Sequence, residues 1–162
     1  GLRMEGKATQ LPIGTALSAS WNPKLVRELY TMEGQELYGN QVDTLLGPGV
    51  NIHRHPLNGR NFEYYSEDPY LSGTMSVAST GGIKDGGAWG TIKHFALNGQ
   101  ESHRFKVDAV CSERAIRQIY LKSFEMAEKA GTVKTLLTDT GQLQTTTFVQ
   151  QSLEMNGDTM VS

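Results

Sequence analysis

Thr91-Ile92-Lys93-His94-Phe95-Ala96-Leu97-Asn98-Gly99-Gln100-Glu101-Ser102-His103-Arg104 is the stretch on which the architecture turns. An apolar run, Ala88, Trp89 and Ile92, ends abruptly in a lysine and a histidine. A polar loop follows that carries a carboxylate, a second histidine and an arginine. Strands of a parallel sheet are buried on both faces, so they deliver charged groups only where they leave the sheet. Lys93 and His94 are therefore expected at the rim of a sheet. A solvated loop after an ordinary strand would produce the same pair, so the flanking segments decide.

Upstream, a second polar stretch from Asn51 to Pro69 follows the apolar residues Val42, Leu45 and Leu46. Two successive strand-to-loop junctions thus hold Arg54, Arg60, Glu63, Glu67, Lys93, His94, Glu101 and Arg104. Around them, helix and strand signals alternate. Residues 10–20 alternate loosely and predict a short strand. Asn22 caps a helix whose first position is Pro23, where a missing N–H costs nothing, and which ends at Gly39-Asn40. Val42 to Leu46 predicts a buried strand. Asp68-Pro69 opens a helix that loosens at Gly81-Gly82, and Trp89 to Phe95 is the next strand. Ser112-Glu113 opens a helix with Ile116, Ile119, Tyr120, Phe124 and Ala127 on one face, closed by Gly131. Val133 to Leu137 predicts a further strand ending at Thr138-Asp139, and residues 146–155 a last helix.

Strands alternating with helices imply a parallel α/β fold, in which chemistry sits at the carboxyl ends of the strands. A full eight-stranded barrel takes roughly 250 residues, and this chain has 162. The expectation is a single partial (β/α) TIM-type barrel over residues 1–162.

Composition narrows the function. Fifteen basic residues against 17 acidic ones leave a net charge of −2, which gives no electrostatic case for nucleic acid or an anionic membrane. No apolar run approaches the ~20 residues of a membrane span, and the start does not resemble a signal peptide. The single Cys111 excludes an intramolecular disulfide and fits a reducing, cytoplasmic compartment. His53 and His55 would point to opposite faces of an extended segment, and there is no cysteine pair, so no metal and no cofactor are expected. Trp21 and Trp89 read as core, whereas Tyr64 and Tyr65, in the polar loop, are placed to stack on a ligand.

Three motifs in order carry a resemblance. Gly47-Pro48-Gly49-Val50-Asn51-Ile52-His53-Arg54-His55-Pro56-Leu57-Asn58-Gly59-Arg60-Asn61-Phe62-Glu63-Tyr64-Tyr65-Ser66-Glu67-Asp68-Pro69-Tyr70, the segment from Lys93 to Glu101, and Val107 to Leu121 resemble the N-terminal barrel of the family 3 glycoside hydrolases, β-glucosidase branch. The likeness covers most of residues 1 to about 131. It implies a retaining hydrolase acting on a small β-glucoside or oligosaccharide. Arg60, Lys93, His94 and Arg104 match the family residues that contact the sugar, and Arg3, in Gly1-Leu2-Arg3, matches another. The family nucleophile lies in a Ser/Thr-Asp-Trp-Gly turn, and Leu137-Thr138-Asp139-Thr140-Gly141 is the counterpart, with Thr140 in place of tryptophan. This makes Asp139 the candidate nucleophile, and a helix cap or turn residue is its rival reading.

The resemblance also implies two departures. The family's Ser-Tyr-Asn strand, which falls between the helix ending near Gly131 and the nucleophile strand, is deleted or scrambled. The second domain, an α/β sandwich that supplies the acid/base glutamate, is expected to be absent. Glu63, Glu67 and Glu101 could stand in, although a carboxylate beside an arginine makes a poor proton donor. An open parallel sheet also leaves edges that a homo-oligomer would cover.

Overall fold

The computed structural model describes residue 2, residues 8–138, and the backbone of 142–143 and 159–161. Arg3, Asp139 and the helix expected over 146–155 lie outside the described residues. Four parallel strands, β1 (Thr44–Leu45), β2 (Trp89–Phe95), β4 (Val133–Thr138) and β6 (Thr159–Val161), form one sheet in the order β1-β2-β4-β6. β3 (Asp108–Ala109) and β5 (Gln142–Leu143) make a second, two-stranded parallel pair. Among the described residues, helices connect β1 to β2 and β2 to β4, so the chain forms part of a (β/α) barrel. Every strand of the larger sheet ends on the same rim.

Helix α2 (Pro23–Gly39) starts where the sequence places it. The Asn22 side chain accepts the Leu25 N–H at 3.1 Å and Pro23 follows. α3 (Pro69–Asp85) repeats the device, with Asp68 accepting from Leu71 N at 2.6 Å. Asp68→Ala is expected to lower stability by about 1 kcal/mol, read as a lower urea midpoint with an unchanged slope. α3 does not loosen at Gly81-Gly82 as predicted but runs on to Asp85. Glycine there serves close approach to α2. A Cβ on Gly82 would meet the Arg27 carbonyl, and one on Gly34 would lie 2.5 Å from the Ile83 carbonyl oxygen. With Ser72, Gly73, Ser76 and Ser79 also buried, α3 is thin enough to sit between α2 and α5 (Lys122–Lys129).

Four expectations fail, each for a reason of packing. Residues 10–20 hold a helix, α1 (Gly14–Ala19), not a strand. Gly14, Leu17 and Ser18 bury at helical spacing, with Ser18 Oγ donating to the Tyr65 carbonyl. β1 is shorter than Val42–Leu46 and not buried along that length, since Leu46 is 57% exposed. The helix that Ser112 caps is broken. α4 (Glu113–Ala115) passes into a π turn, Ile116–Tyr120, before α5, and the altered turn leaves Ile119 38% exposed while Ile116, Phe124 and Ala127 are buried. Trp21 is not core; it sits in a turn at φ 51°, 75% exposed. Trp89 is half-buried, with the Lys134 ammonium 4.0 Å from its ring centroid.

The core lies between β2, β4 and α3. Val50, Met75, Ile92, Phe95, Phe124 and Leu136 pack there, with Phe95 and Phe124 edge to face at 4.9 Å. That packing holds the rim from below.

Candidate active site

The segment after β1 does not leave β2 at once. Lys93 N–H donates to the Pro48 carbonyl at 3.1 Å, and Val50 N–H to the Lys93 carbonyl at 2.7 Å, so residues 48–50 run alongside the end of β2. Asn51 is thereby carried opposite His94. Its amide nitrogen donates to the His94 carbonyl at 3.0 Å, and its oxygen accepts the His94 N–H at 2.7 Å. The histidine backbone is held by a buried side chain, not by a strand.

The loop then returns a 3₁₀ turn, Asn61–Glu63, over the same rim. Arg60 Nε donates to Glu63 Oε1, and Lys93 Nζ lies 3.5 Å from Glu63 Oε2. Glu101 is the second anion. It lies 3.9 Å from Arg60 Nη1 and 3.1 Å from Arg104 Nη1, and it accepts from Asn98 Nδ2 at 2.8 Å. Arg60, Lys93, His94 and Arg104, drawn from two strand-to-loop junctions, thus form one connected cluster.

Its electrostatics follow from half-burial. For Glu63, desolvation would raise the carboxyl, but the Arg60 hydrogen bond and the Lys93 charge outweigh it and hold the group below the usual carboxylate range. Glu63 is thereby an acceptor and not an acid. For His94, burial and then the charges of Arg60 and Lys93 pull the imidazole down to about 4, so the ring is neutral at pH 7. Burial also raises the Tyr64 phenol, which stays protonated. Tyr64 and Tyr65 are not sugar platforms as predicted. They are 0% and 1% exposed, and their rings belong to the interior.

A cavity of about 690 Å³ adjoins the cluster, lined by Arg54, Leu57, Asn98, Glu101, Arg104 and Tyr120 among others. Arg60, Lys93 and His94 do not line it. Arg54, unassigned by the sequence, donates to the Tyr120 hydroxyl at 2.5 Å across its wall. Glu67 is exposed and stands apart from the cluster. Among the described residues no three His, Cys, Asp or Glu side chains are placed to hold a metal ion.

Sequence reasoning missed Asn51 and Asn98 as parts of the site, and gave Tyr64 a stacking role in place of its buried hydrogen bond to His94. The available signal was position. Asn51 and Asn98 each fall a few residues past the end of a strand, where a buried amide has backbone to satisfy.

Known proteins carry the same arrangement of sequence and backbone. A "Beta-glucosidase" of Ruminococcus albus is 52% identical over 145 residues, 88% of this chain and 15% of that protein. The solved β-glucosidase of Paenibacillus barengoltzii superposes with a TM-score of 0.83 at 63% identity, covering 85% of this chain and 15% of that one. β-Glucosidase 3B of Thermotoga neapolitana, solved in complex with α-D-glucose, gives 0.81 at 44% identity, covering 83% of this chain and 19% of that one. The chain therefore spans under a fifth of the length of these relatives. The profile described as "Glycosyl hydrolase family 3 N terminal domain" matches residues 1–140. On that match, and on the backbone likeness, the chain belongs to glycosyl hydrolase family 3.

Proposed function

We propose that this chain carries the sugar-holding part of a retaining β-glucosidase. One observation supports it most. Arg60, Lys93 and Arg104 meet around Glu63 and Glu101 beside a neutral His94, at the carboxyl end of a barrel strand. Permanently charged donors in fixed directions, interleaved with carboxylate acceptors, suit the alternating hydroxyls of a pyranose. In this reading Arg60, Lys93, His94, Arg104 and Arg3 hold a β-glucoside or the terminal unit of an oligosaccharide. The adjoining cavity takes the leaving group. The Asp139 carboxylate attacks the anomeric carbon while a separate carboxylic acid, neither Glu63 nor Glu101, protonates the leaving oxygen, and water then cleaves the glycosyl ester, giving its proton back to that carboxylate. A homo-oligomer that covers the sheet's outer strands belongs to the same reading.

A second reading, a sugar-binding piece that does not complete the chemistry, is favoured by a different observation. Both carboxylates in the cluster are committed to arginine or lysine, and Glu63 is held ionised, so neither is suited to protonate a leaving group. Calorimetric titration with D-glucose, paired with an assay on 4-nitrophenyl β-D-glucoside, separates them. Binding with hydrolysis supports the first, and binding without it the second. The absence of both overturns both. Arg60→Ala is expected to weaken glucose binding roughly 10- to 100-fold. Arg27→Ala, which removes a surface pair with Asp85 on the far side of α3, is expected to leave binding unchanged.

A further inference from the structure

Behind the cationic cluster runs a buried chain of hydrogen bonds whose directions are fixed by what each atom is able to donate. Glu101, paired with Arg104 as a carboxylate, only accepts. Its Oε1 is 2.8 Å from Asn98 Nδ2, so the nitrogen end of that amide faces it. The same nitrogen lies 3.0 Å from the Tyr64 hydroxyl, and its second hydrogen points there. The Tyr64 oxygen therefore accepts from Asn98, and its own proton is free to go elsewhere. The partner within reach is His94 Nδ1, at 3.1 Å. A nitrogen that accepts a phenol proton carries a lone pair, which leaves the ring proton on Nε2.

We propose that Tyr64 and Asn98 are positioning residues that hold His94 in one tautomer, protonated on Nε2, so that a neutral imidazole donates from that atom to a sugar hydroxyl. The tautomer stands on the hydrogen bonds alone, and only the sugar as recipient rests on the function proposed above. The supports around the chain are rigid. Asn51 clamps the His94 backbone, Asn58 Nδ2 donates to the Asn98 carbonyl at 3.3 Å, and the Tyr64 and His94 rings meet edge to face. His94 Nε2 makes no hydrogen bond among the described residues and is not sealed from solvent. Arg60, Lys93 and Arg104 oppose a charge on the ring, Glu63 favours one, and burial sides with the cations. The site thereby gains a directional donor without a further positive charge.

The nitrogen-15 spectrum of the His94 ring in the whole labelled chain, at neutral pH and without ligand, reads the tautomer directly. His94→Asn identifies its signals among those of the four histidines. The expected spectrum has an unprotonated Nδ1 and a protonated Nε2. In Tyr64→Phe, and in Asn98→Ala, where the phenol loses the donor that directs it, the two nitrogen shifts are expected to move toward each other as the tautomers mix. Glucose affinity is expected to fall roughly five- to tenfold. A wild-type proton on Nδ1 overturns the proposal, as does an unchanged His94 spectrum in a folded Tyr64→Phe. Should neither variant fold, the wild-type spectrum decides. An Nε2–H tautomer in a chain that binds no glucose upholds the relay and removes the function proposed above, so the two fail separately.

Discussion

Asp139→Asn is expected to cut nitrophenol release from 4-nitrophenyl β-D-glucoside by on the order of a thousandfold or more, while D-glucose binds within about twofold of wild type. An amide of the same shape keeps the hydrogen bonds of a turn but cannot form the glycosyl ester. Placement in the sheet supports the choice. β4 is the immediate parallel neighbour of β2, and its last residue, Thr138, pairs with Phe95. Neighbouring strands lie about 4.8 Å apart, so β4 ends at Thr138 on the rim where β2, with Lys93 and His94, ends at Phe95. The same adjacency frames the opposite result. No strand lies between β2 and β4, so β4 stands in the place next to the lysine-histidine strand, directly after the helix that ends near Gly131. That is where the family's Ser-Tyr-Asn strand is expected. Hydrolysis that survives Asp139→Asn would make Asp139 an ordinary helix cap or turn residue and move the nucleophile elsewhere. Tighter or unchanged glucose binding with hydrolysis lost is the signature of a nucleophile.

What the sequence reveals and what it hides divide along a physical line. Local chemistry is legible. Asn22 with Pro23, Asp68 with Pro69 and Ser112 announce helix starts because the capping oxygen and the N–H it accepts lie within three residues of each other. Trp89–Phe95 is a strand with the bounds that its apolar run and the preceding Gly86-Gly87 suggest. The grouping of Arg60, Lys93, His94 and Arg104 was legible from the motifs, and the expectation that nearby carboxylates pair with arginine holds for Glu63 and Glu101. Long-range partners were not legible. Tyr64 and Tyr65 sit in a polar loop, and only the return of that loop over β2 buries them, one on His94 and the other on Ser79. Gly81 and Gly82 look like a helix end until α2 is set against them. The helix of residues 14–19 depends on Ser18 reaching a carbonyl 47 residues away. In each case the deciding contact lies beyond the span over which periodicity carries information.

Between pH 7 and pH 4 the chain is expected to lose on the order of 2–3 kcal/mol of folding stability through His94 alone. The folded ring titrates at about 4 and the unfolded one near 6.5. Between those values the unfolded chain holds a proton that the folded chain refuses, so stability rises with pH across the window and is lost as pH falls through it. Glu63 extends the loss at the acid end. Its folded carboxyl is held below its unfolded value of 4.5, so its contribution is complete above that value and disappears as pH drops through the folded one. Glu33, buried on α2, works in the other direction. Burial raises its carboxyl above 4.5, so the folded chain takes up that proton first, and acidification there relieves a cost. Glu63 and Glu33 thus pull the slope in opposite directions, and the His94 part has to be isolated by difference. Urea unfolding of wild type and His94→Asn at several pH values does so, because a permanently neutral side chain has no proton to refuse. The wild-type stability minus that of His94→Asn should fall by about 2–3 kcal/mol between pH 7 and pH 4, whatever the offset between them at neutral pH. Parallel curves would mean that His94 titrates alike in the folded and unfolded chains. In that case neither burial nor the charges of Arg60 and Lys93 would act on its ring.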